Sequence, residues 1–391
     1  MHFILTAVQI VSVIGVVSSS IYYLLCIWSA SRFLHEREIA ITDRLQQKDS
    51  VPPVSILKPL KGTDPEIYES FRSHCLQDYP EFEIIFGVSE AADPVIESVR
   101  RLQREFPERR IQLVVCSEIL GTNVKVSNLA QILPEARYDC LVVNDSDIRV
   151  EPDYLRRVIA PLADSSTGMV TCLYRGIAAP TLGSRLEALG ISTDFAAGVL
   201  AAWQLEGGIR FGFGSTLAFR RSDLEKIGGF ASILDYLADD YELGKRISDL
   251  GLHVKLADVV VETFLPAYAI RGFFAHQLRW ARGVRDARAG GYLGLMFTFG
   301  IFWSVLAVVA CRGSAWSWAV LAGALFLRYA VAWAVGAKIL SDSQVRKYGW
   351  LIPLRDLIAV GVWIASLFGH TVIWRGEKFR LKNGKLSRPE P

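Results

Sequence analysis

Two carboxylates one residue apart close the apolar run Val142-Val143-Asn144-Asp145-Ser146-Asp147. Carboxylates in one short loop at the end of a strand can hold a hard divalent cation, Mg²⁺ or Mn²⁺. Such a cation can neutralise a diphosphate and assist its departure. A solvated Asp-rich turn or a helix cap uses the same residue types. A second acidic group, Asp239-Asp240-Tyr241-Glu242-Leu243-Gly244, opens a helical pattern. Acids there complement a helix dipole. One of them can equally take a proton from an acceptor hydroxyl, because neighbouring like charge raises a carboxylate pKa toward a useful value. The third group is His276-Gln277-Leu278-Arg279-Trp280-Ala281-Arg282-Gly283. Arg offers a planar donor fork for phosphate oxygens, and Trp a flat face for a sugar or lipid. A membrane-interface helix with snorkelling Arg and a belt Trp reads the same way. Smaller signals are Asp93, and Lys125 and Asn128 in the run Gly121-Thr122-Asn123-Val124-Lys125-Val126-Ser127-Asn128, where contact with phosphate or base is the chemical option.

Elements must position these groups. Val54–Leu57, Phe82–Val88, Ile111–Cys116, Cys140–Val143 and Met169–Leu173 are short apolar runs, β-branched and separated by helical patterns such as Glu97–Glu105. That alternation predicts a parallel sheet covered on both faces, with ligands at the carboxyl ends of its strands. The first acidic pair stands at such an end. Residues 180–265 are less regular and punctuated by Gly207-Gly208 and Gly212-Phe213-Gly214. Asp235–Leu250 reads as an amphipathic helix, Phe273–Arg288 as a helix lying at a membrane interface, and Lys382-Asn383-Gly384-Lys385 as a tight turn.

The 391 residues are 51% hydrophobic, too apolar for an ordinary soluble protein. No charged residue occurs in Phe3–Ser31 or Leu293–Cys311; Gly313–Ala337 carries only Arg328, and Leu357–Trp374 only His370. These stretches approach or exceed the roughly 20 residues that cross a bilayer core. The first lacks the basic n-region of a signal peptide and is followed by Arg32, His35 and Arg37, which places the next domain on the cytoplasmic side. One N-terminal and three C-terminal spans would leave the basic tail outside, against the same rule. Either one apolar segment does not fully cross or the rule fails here; the segment expected to fall short is the last, cut by Arg355 and Asp356. Arg328, inside an apolar segment, is either functional or snorkelling. The net charge of +3 and the absence of a basic aromatic motif argue against a nucleic-acid partner. Six scattered cysteines without metal spacing indicate free thiols in a reducing compartment.

Taken in order, these groups resemble the inverting GT-A glycosyltransferases with a D, D, D, (Q/R)xxRW pattern, among them cellulose, chitin and hyaluronan synthases. The ceramide glucosyltransferase family (GT21) and its bacterial relatives are the more similar group. The stretches that carry the likeness are VSILKPLKG (Val54–Gly62), Asp78-Tyr79-Pro80, Ala92-Asp93-Pro94, NDSDIRV (Asn144–Val150), LADDYEL (Leu237–Leu243), Leu278-Arg279-Trp280 and Trp374-Arg375-Gly376. The resemblance implies an α/β GT-A fold, Rossmann-like with a mostly parallel sheet, between N-terminal and C-terminal transmembrane helices. The expected division is an anchor at 1–31, a cytoplasmic catalytic domain at 32–269, an interface helix at 270–291, membrane segments at 292–374 and a basic tail at 375–391.

Implied roles follow. Asp240 is the base, and Asp145 and Asp147 hold the cation. Lys61, Asp93, Lys125, Asn128, Asp145 and Arg279 contact the nucleotide-sugar. Asp239, His276, Gln277 and Trp280 line the acceptor and diphosphate region. The implied reaction moves glucose from UDP-glucose to ceramide. Two departures, His276 at the first position of (Q/R)xxRW and no His in Gly190–Phe195, keep a bacterial alternative in view: N-acetylglucosamine transfer to a hopanoid polyol. A processive polysaccharide synthase is the third reading, and a non-enzymatic scaffold the last.

Overall fold

Val54–Leu60 (β1) is buried along its whole length, as expected of a strand flanked on both sides and covered on both faces. A computed structural model describes residues 2–46, 51–374 and 376–388. They form two compact units: Arg37–Ile177, Glu206–Pro266 and Phe379–Pro391 make one; Met1–Glu36, Ala178–Leu205 and Ala267–Lys378 make the other.

The first unit is built on an eight-stranded sheet. Its further strands are Phe82–Val88 (β2), Arg110–Val115 (β3), Cys140–Val143 (β4), Ile148–Arg149 (β5), Thr167–Ile177 (β6), Leu217–Arg220 (β7) and His253–Phe264 (β8), in spatial order β3-β2-β1-β4-β7-β6-β8-β5. The first four neighbours are parallel, as are β6 and β8, while β7 is antiparallel to both β4 and β6. All five expected strands are present. The fifth, however, does not extend the parallel order directly: β7 lies between it and β4. Both β7 and β8 come from the region read as irregular. A short apolar run records burial but not direction or neighbour, which are set by long-range pairing. The core beneath the sheet includes Ile56, Phe71, Phe86, Val99, Tyr154 and Val170, all fully buried.

Helices deliver the remaining groups. The helix Val124–Ile132 is capped by Asn123, whose side chain accepts from the Val126 N–H. The helix Asp239–Asp249 is shorter at its start than the expected Asp235–Leu250. Asn383 and Gly384, both at positive φ, make the predicted turn, and strands pair on either side of it from Lys382↔Lys385 to Arg380↔Ser387. Arg375 of the quoted likeness lies outside the described residues.

In the second unit, four helices among the described residues are long and apolar enough to cross a membrane: Phe3–Thr42, Leu182–Glu206, Ala315–Ile339 and Ser343–Ser366. The pair Ala289–Thr298 and Gly300–Ala310, bent by 51°, would add a fifth as one broken span. Leu182–Glu206 stands out because the sequence reading gave it to the catalytic domain; its charged residues masked its length. The last apolar helix also differs from expectation, ending at Ser366, with Thr371–Trp374 extended as a strand. The helix runs through Arg355 and Asp356 without a break, and both side chains have partners. Arg328 is buried and donates twice to Asp356, at 2.7 and 2.9 Å, and also to the Thr193 carbonyl at 3.0 Å. Arg355 donates to Gln277 at 3.3 Å. Paired charges are the form in which ionisable groups are tolerated among apolar spans. The six cysteines are free thiols.

Candidate active site

The acidic loop Asn144–Asp147 leaves β4 beside the carboxyl end of β1, where Leu57 and Val143 are in register. Asn144 anchors it: its buried amide donates to Tyr154 Oη at 2.9 Å and to the Ser215 carbonyl at 2.7 Å. Lys58 anchors it from below. That ammonium is fully buried in β1 and donates to the Asp145 carbonyl at 3.1 Å. Burial pushes its pKa down to about 7, against the opposing pull of Asp147 and Asp145.

Gly214 joins the two acidic groups. Its carbonyl accepts from Asp145 N at 2.9 Å, and its N–H donates to Asp240 Oδ2 at 2.8 Å. A Cβ here would sit 2.2 Å from Asp145 Oδ2, so any larger residue would displace that carboxylate. Gly244 does the same for the helix: a Cβ there would meet the Gly212 nitrogen at 2.4 Å. Backbone contact between the Asp239–Asp249 helix and the loop 211–214 is what carries Asp240 to Gly214.

Lys125 completes the cluster. Its ammonium is 2.8 Å from Asp145 Oδ1 and 2.9 Å from Asp239 Oδ2. Burial alone would lower its pKa; Asp145, Asp239 and Asp240 together outweigh that and hold it well above the ordinary lysine value. The carboxylates move the other way. Burial first, and Asp145 second, push Asp147 up to about 6 despite a hydrogen bond from the Thr263 hydroxyl. Burial first, and Asp239 second, hold Asp240 above the ordinary range, although both its oxygens accept backbone N–H groups, from Gly214 and from Tyr241 at 2.8 Å. Two groups in one cluster with displaced pKa values are a usual sign of acid–base or ion-binding duty.

The predicted residues therefore separate. Asp145, Asp239, Asp240 and Lys125 are brought into one hydrogen-bonded and ion-paired cluster, with Asp147 on the same loop. Asp93 lies on the loop after β2, where its carboxylate accepts from Gly62 N at 2.9 Å and Val95 N at 3.0 Å. It ties that loop to the one after β1, which also carries Lys61. Asn128 is buried, with its amide within 3.5 Å of the Leu60 and Gly87 carbonyls and its oxygen accepting from Ser89; it pins its helix to two strand ends. His276, Gln277, Arg279 and Trp280 stand on the helix Ile270–Ala287 of the other unit. There His276 Nδ1 is 2.9 Å from the buried Glu187, and its ring lies against Tyr268 and Trp280. Lys58, Gly214 and Thr263 were not foreseen. The Gly212-Phe213-Gly214 punctuation was the one legible signal among them.

Asp145 and Asp147 suit a Mg²⁺ or Mn²⁺ ion. Among the described residues no three His, Cys, Asp or Glu side chains form a cage. Small hard cations, however, commonly use one or two carboxylates plus substrate phosphates, and the burial and Asp145 charge that raise Asp147 both disfavour an uncompensated carboxylate.

The family model for glycosyl transferase family 21 matches residues 11–387. Ceramide glucosyltransferase 1 of Caenorhabditis elegans is 24% identical over 364 residues, 87% of this chain and 74% of that protein. The probable glycosyltransferase YdaM of Bacillus subtilis is 26% identical over 60% of this chain and 55% of its own length. Among solved structures, the mannosyltransferase PcManGT of Pyrobaculum calidifontis, in complex with GDP-Man and Mn²⁺, aligns with a TM-score of 0.53 at 22% identity, covering 91% of this chain and 97% of that one. The fold is thus the GT-A-like mixed α/β arrangement.

Proposed function

As a member of glycosyl transferase family 21 this chain is a glycosyltransferase, and we propose that it moves glucose from UDP-glucose to a hydroxyl of a membrane lipid, with ceramide as acceptor. The observation that carries this reading is the Gly214 bridge, which places the Asp240 carboxylate and the Asp145–Asp147 loop on one backbone residue. Asp240 accepts the proton of the lipid hydroxyl, whose oxygen attacks the anomeric carbon in line and inverts it. UDP is the leaving group. Asp145 and Asp147 would hold the divalent cation, which when bound would supply positive charge to the departing diphosphate. Lys125 orders the carboxylates before substrate arrives, so little reorganisation is left for the chemical step. Arg279, for the diphosphate, and Trp280, for the acceptor, enter from the ordered motif.

The C. elegans relative supports the acceptor class, and the Mn²⁺ of PcManGT supports the cation. The apolar helices support a bilayer setting, and the cations after the first of them, Arg32, His35 and Arg37, support a cytoplasmic catalytic unit.

The test is transfer by the purified full chain in detergent. Radiolabelled UDP-glucose and UDP-N-acetylglucosamine are each offered with ceramide, diacylglycerol and a hopanoid polyol, with and without Mn²⁺ or Mg²⁺. Metal-dependent glucosylation of ceramide is expected. N-acetylglucosamine on the hopanoid with ceramide untouched would keep the site and replace the acceptor. No transfer to any lipid would overturn the reading and reopen the polymer-synthase alternative.

A further inference from the structure

The C-terminal hairpin reads in the sequence as a basic tail with a turn. In the structure it is anchored: Phe379, Leu381 and Leu386 are buried while its cations face outward. Its second strand joins the backbone that leads into the acidic helix. Leu386 N donates to the Asp235 carbonyl at 2.7 Å, and Leu237 N donates to the Gly384 carbonyl at 3.0 Å, on either side of an antiparallel bridge between Tyr236 and Lys385. The Tyr236 ring has the Lys385 ammonium at 5.3 Å and the Arg246 guanidinium at 5.5 Å.

The same segment is held from the opposite direction by the loop that opens the Lys125 helix. Thr122 N donates to Asp235 Oδ1 at 3.0 Å. The Thr122 hydroxyl lies 2.9 Å from that oxygen and 3.2 Å from the Leu386 carbonyl, one proton shared by two acceptors. Asn123 donates from its amide to the Tyr236 carbonyl at 2.7 Å and from its backbone N–H to the Leu234 carbonyl at 2.8 Å. Lys125 follows two residues after Asn123, and Asp239 and Asp240 follow Leu237 almost directly.

We propose that the C-terminal hairpin is a positioning element of the acid cluster, clamping Asp235–Leu237 against Thr122–Asn123 so that Lys125, Asp239 and Asp240 meet in register. Its catalytic consequence rests on the transferase reading above; the clamp itself does not. Thr122 and Gly384 are the residues to test. Thr122→Val removes the shared hydroxyl at nearly constant shape, and Thr122→Ser keeps it. Gly384→Val forces a β-branched residue to φ +77° and sets a Cβ 3.2 Å from the Tyr236 ring.

In the full-length protein, both Val variants are expected to lower kcat about tenfold or more with the KM for UDP-sugar unchanged, the usual scale for a displaced reacting group. Thr122→Ser keeps wild-type kcat. The double variant loses no more than the worse single one, because both release the same segment. Amide hydrogen exchange at Leu237 and Tyr241 quickens in each Val variant. Additive losses in the double variant, or wild-type kcat with unchanged exchange in Gly384→Val, would overturn the proposal. Should the wild-type chain transfer no sugar to any lipid, the transferase reading falls and exchange decides alone: quickened exchange upholds the clamp, unchanged exchange removes it.

Discussion

Asp240 has both carboxylate oxygens on backbone N–H donors and still sits above the ordinary pKa range, because burial and the charge of Asp239 oppose those bonds and prevail. A base in that state must lose its proton before it can accept another. Activity should therefore fall as pH drops through a limb above the ordinary aspartate value of about 3.9. Asp239→Asn removes the second cause and should move the limb to lower pH in a kcat/KM profile. For Asp147, whose pKa is about 6, the sign for stability is the reverse of the usual paired carboxylate. Between its unfolded value and about 6 the native state binds more protons than the unfolded one, so this group's contribution to stability declines as pH rises through that window. Asp240→Asn should lower turnover by at least about 10²-fold, the scale of a lost general base, while UDP binding measured by calorimetry persists. Retained turnover would give the base role to another group. At Gly214 a methyl group collides with the Asp145 carboxylate; Gly214→Ala should cost roughly 1–3 kcal/mol, as overpacking does, and reduce kcat more than donor affinity.

At the scale of elements, the acid cluster exists because a helix start, a strand end and a glycine loop converge. Lys125 is its counter-charge, 18% exposed at the side chain between Asp145 and Asp239. Lys125→Met removes the cation that Asp145 and Asp239 share and should destabilise the catalytic unit by roughly 2–4 kcal/mol, toward the lower end because the Asp145 side chain is 41% exposed. Thermal unfolding checks it; a second replacement, Asp239→Asn, should recover part of the loss. The convergence also explains which residues sequence reasoning could find. Asp145, Asp147, Asp239 and Asp240 stand in local acidic runs that announce themselves. Lys58 reads as a strand lysine like any other, and only the parallel pairing of β1 with β4 directs it under the Asp145 carbonyl. Asn128 has the right chemistry for a nucleotide contact, but its amide is turned into the helix–strand junction.

At the scale of the whole molecule, the apolar unit is held by charges as well as by packing. Arg328 and Asp356 form a buried two-bond pair inside helices otherwise suited to lipid. Arg328→Met strands the partly buried Asp356, and Asp356→Leu leaves the buried Arg328 with Thr193 but without its counter-charge; either alone should cost roughly 3–5 kcal/mol, whereas the double replacement should regain most of it. Unfolding of each variant in one detergent is the measurement. A double variant that loses the sum of the two single losses would show that neither charge depends on the other. The units themselves do not follow chain order: Leu182–Glu206 lies in sequence inside the catalytic region yet belongs with the apolar helices.

The sequence by itself determined the reaction class, the acidic runs that meet in one cluster, five strands of the sheet and the apolar character of both ends. Each of those is written in neighbouring residues, as a period, a run or a spaced motif. Tertiary structure alone decided that β7 and β8 complete the sheet, that Gly214 joins Asp145 to Asp240, that Arg355 and Asp356 are partnered within the last apolar helix, and that a basic tail braces the acidic helix. Those facts rest on contacts between residues far apart in the chain, and no local pattern records which distant partner a strand, a carboxylate or a glycine will meet.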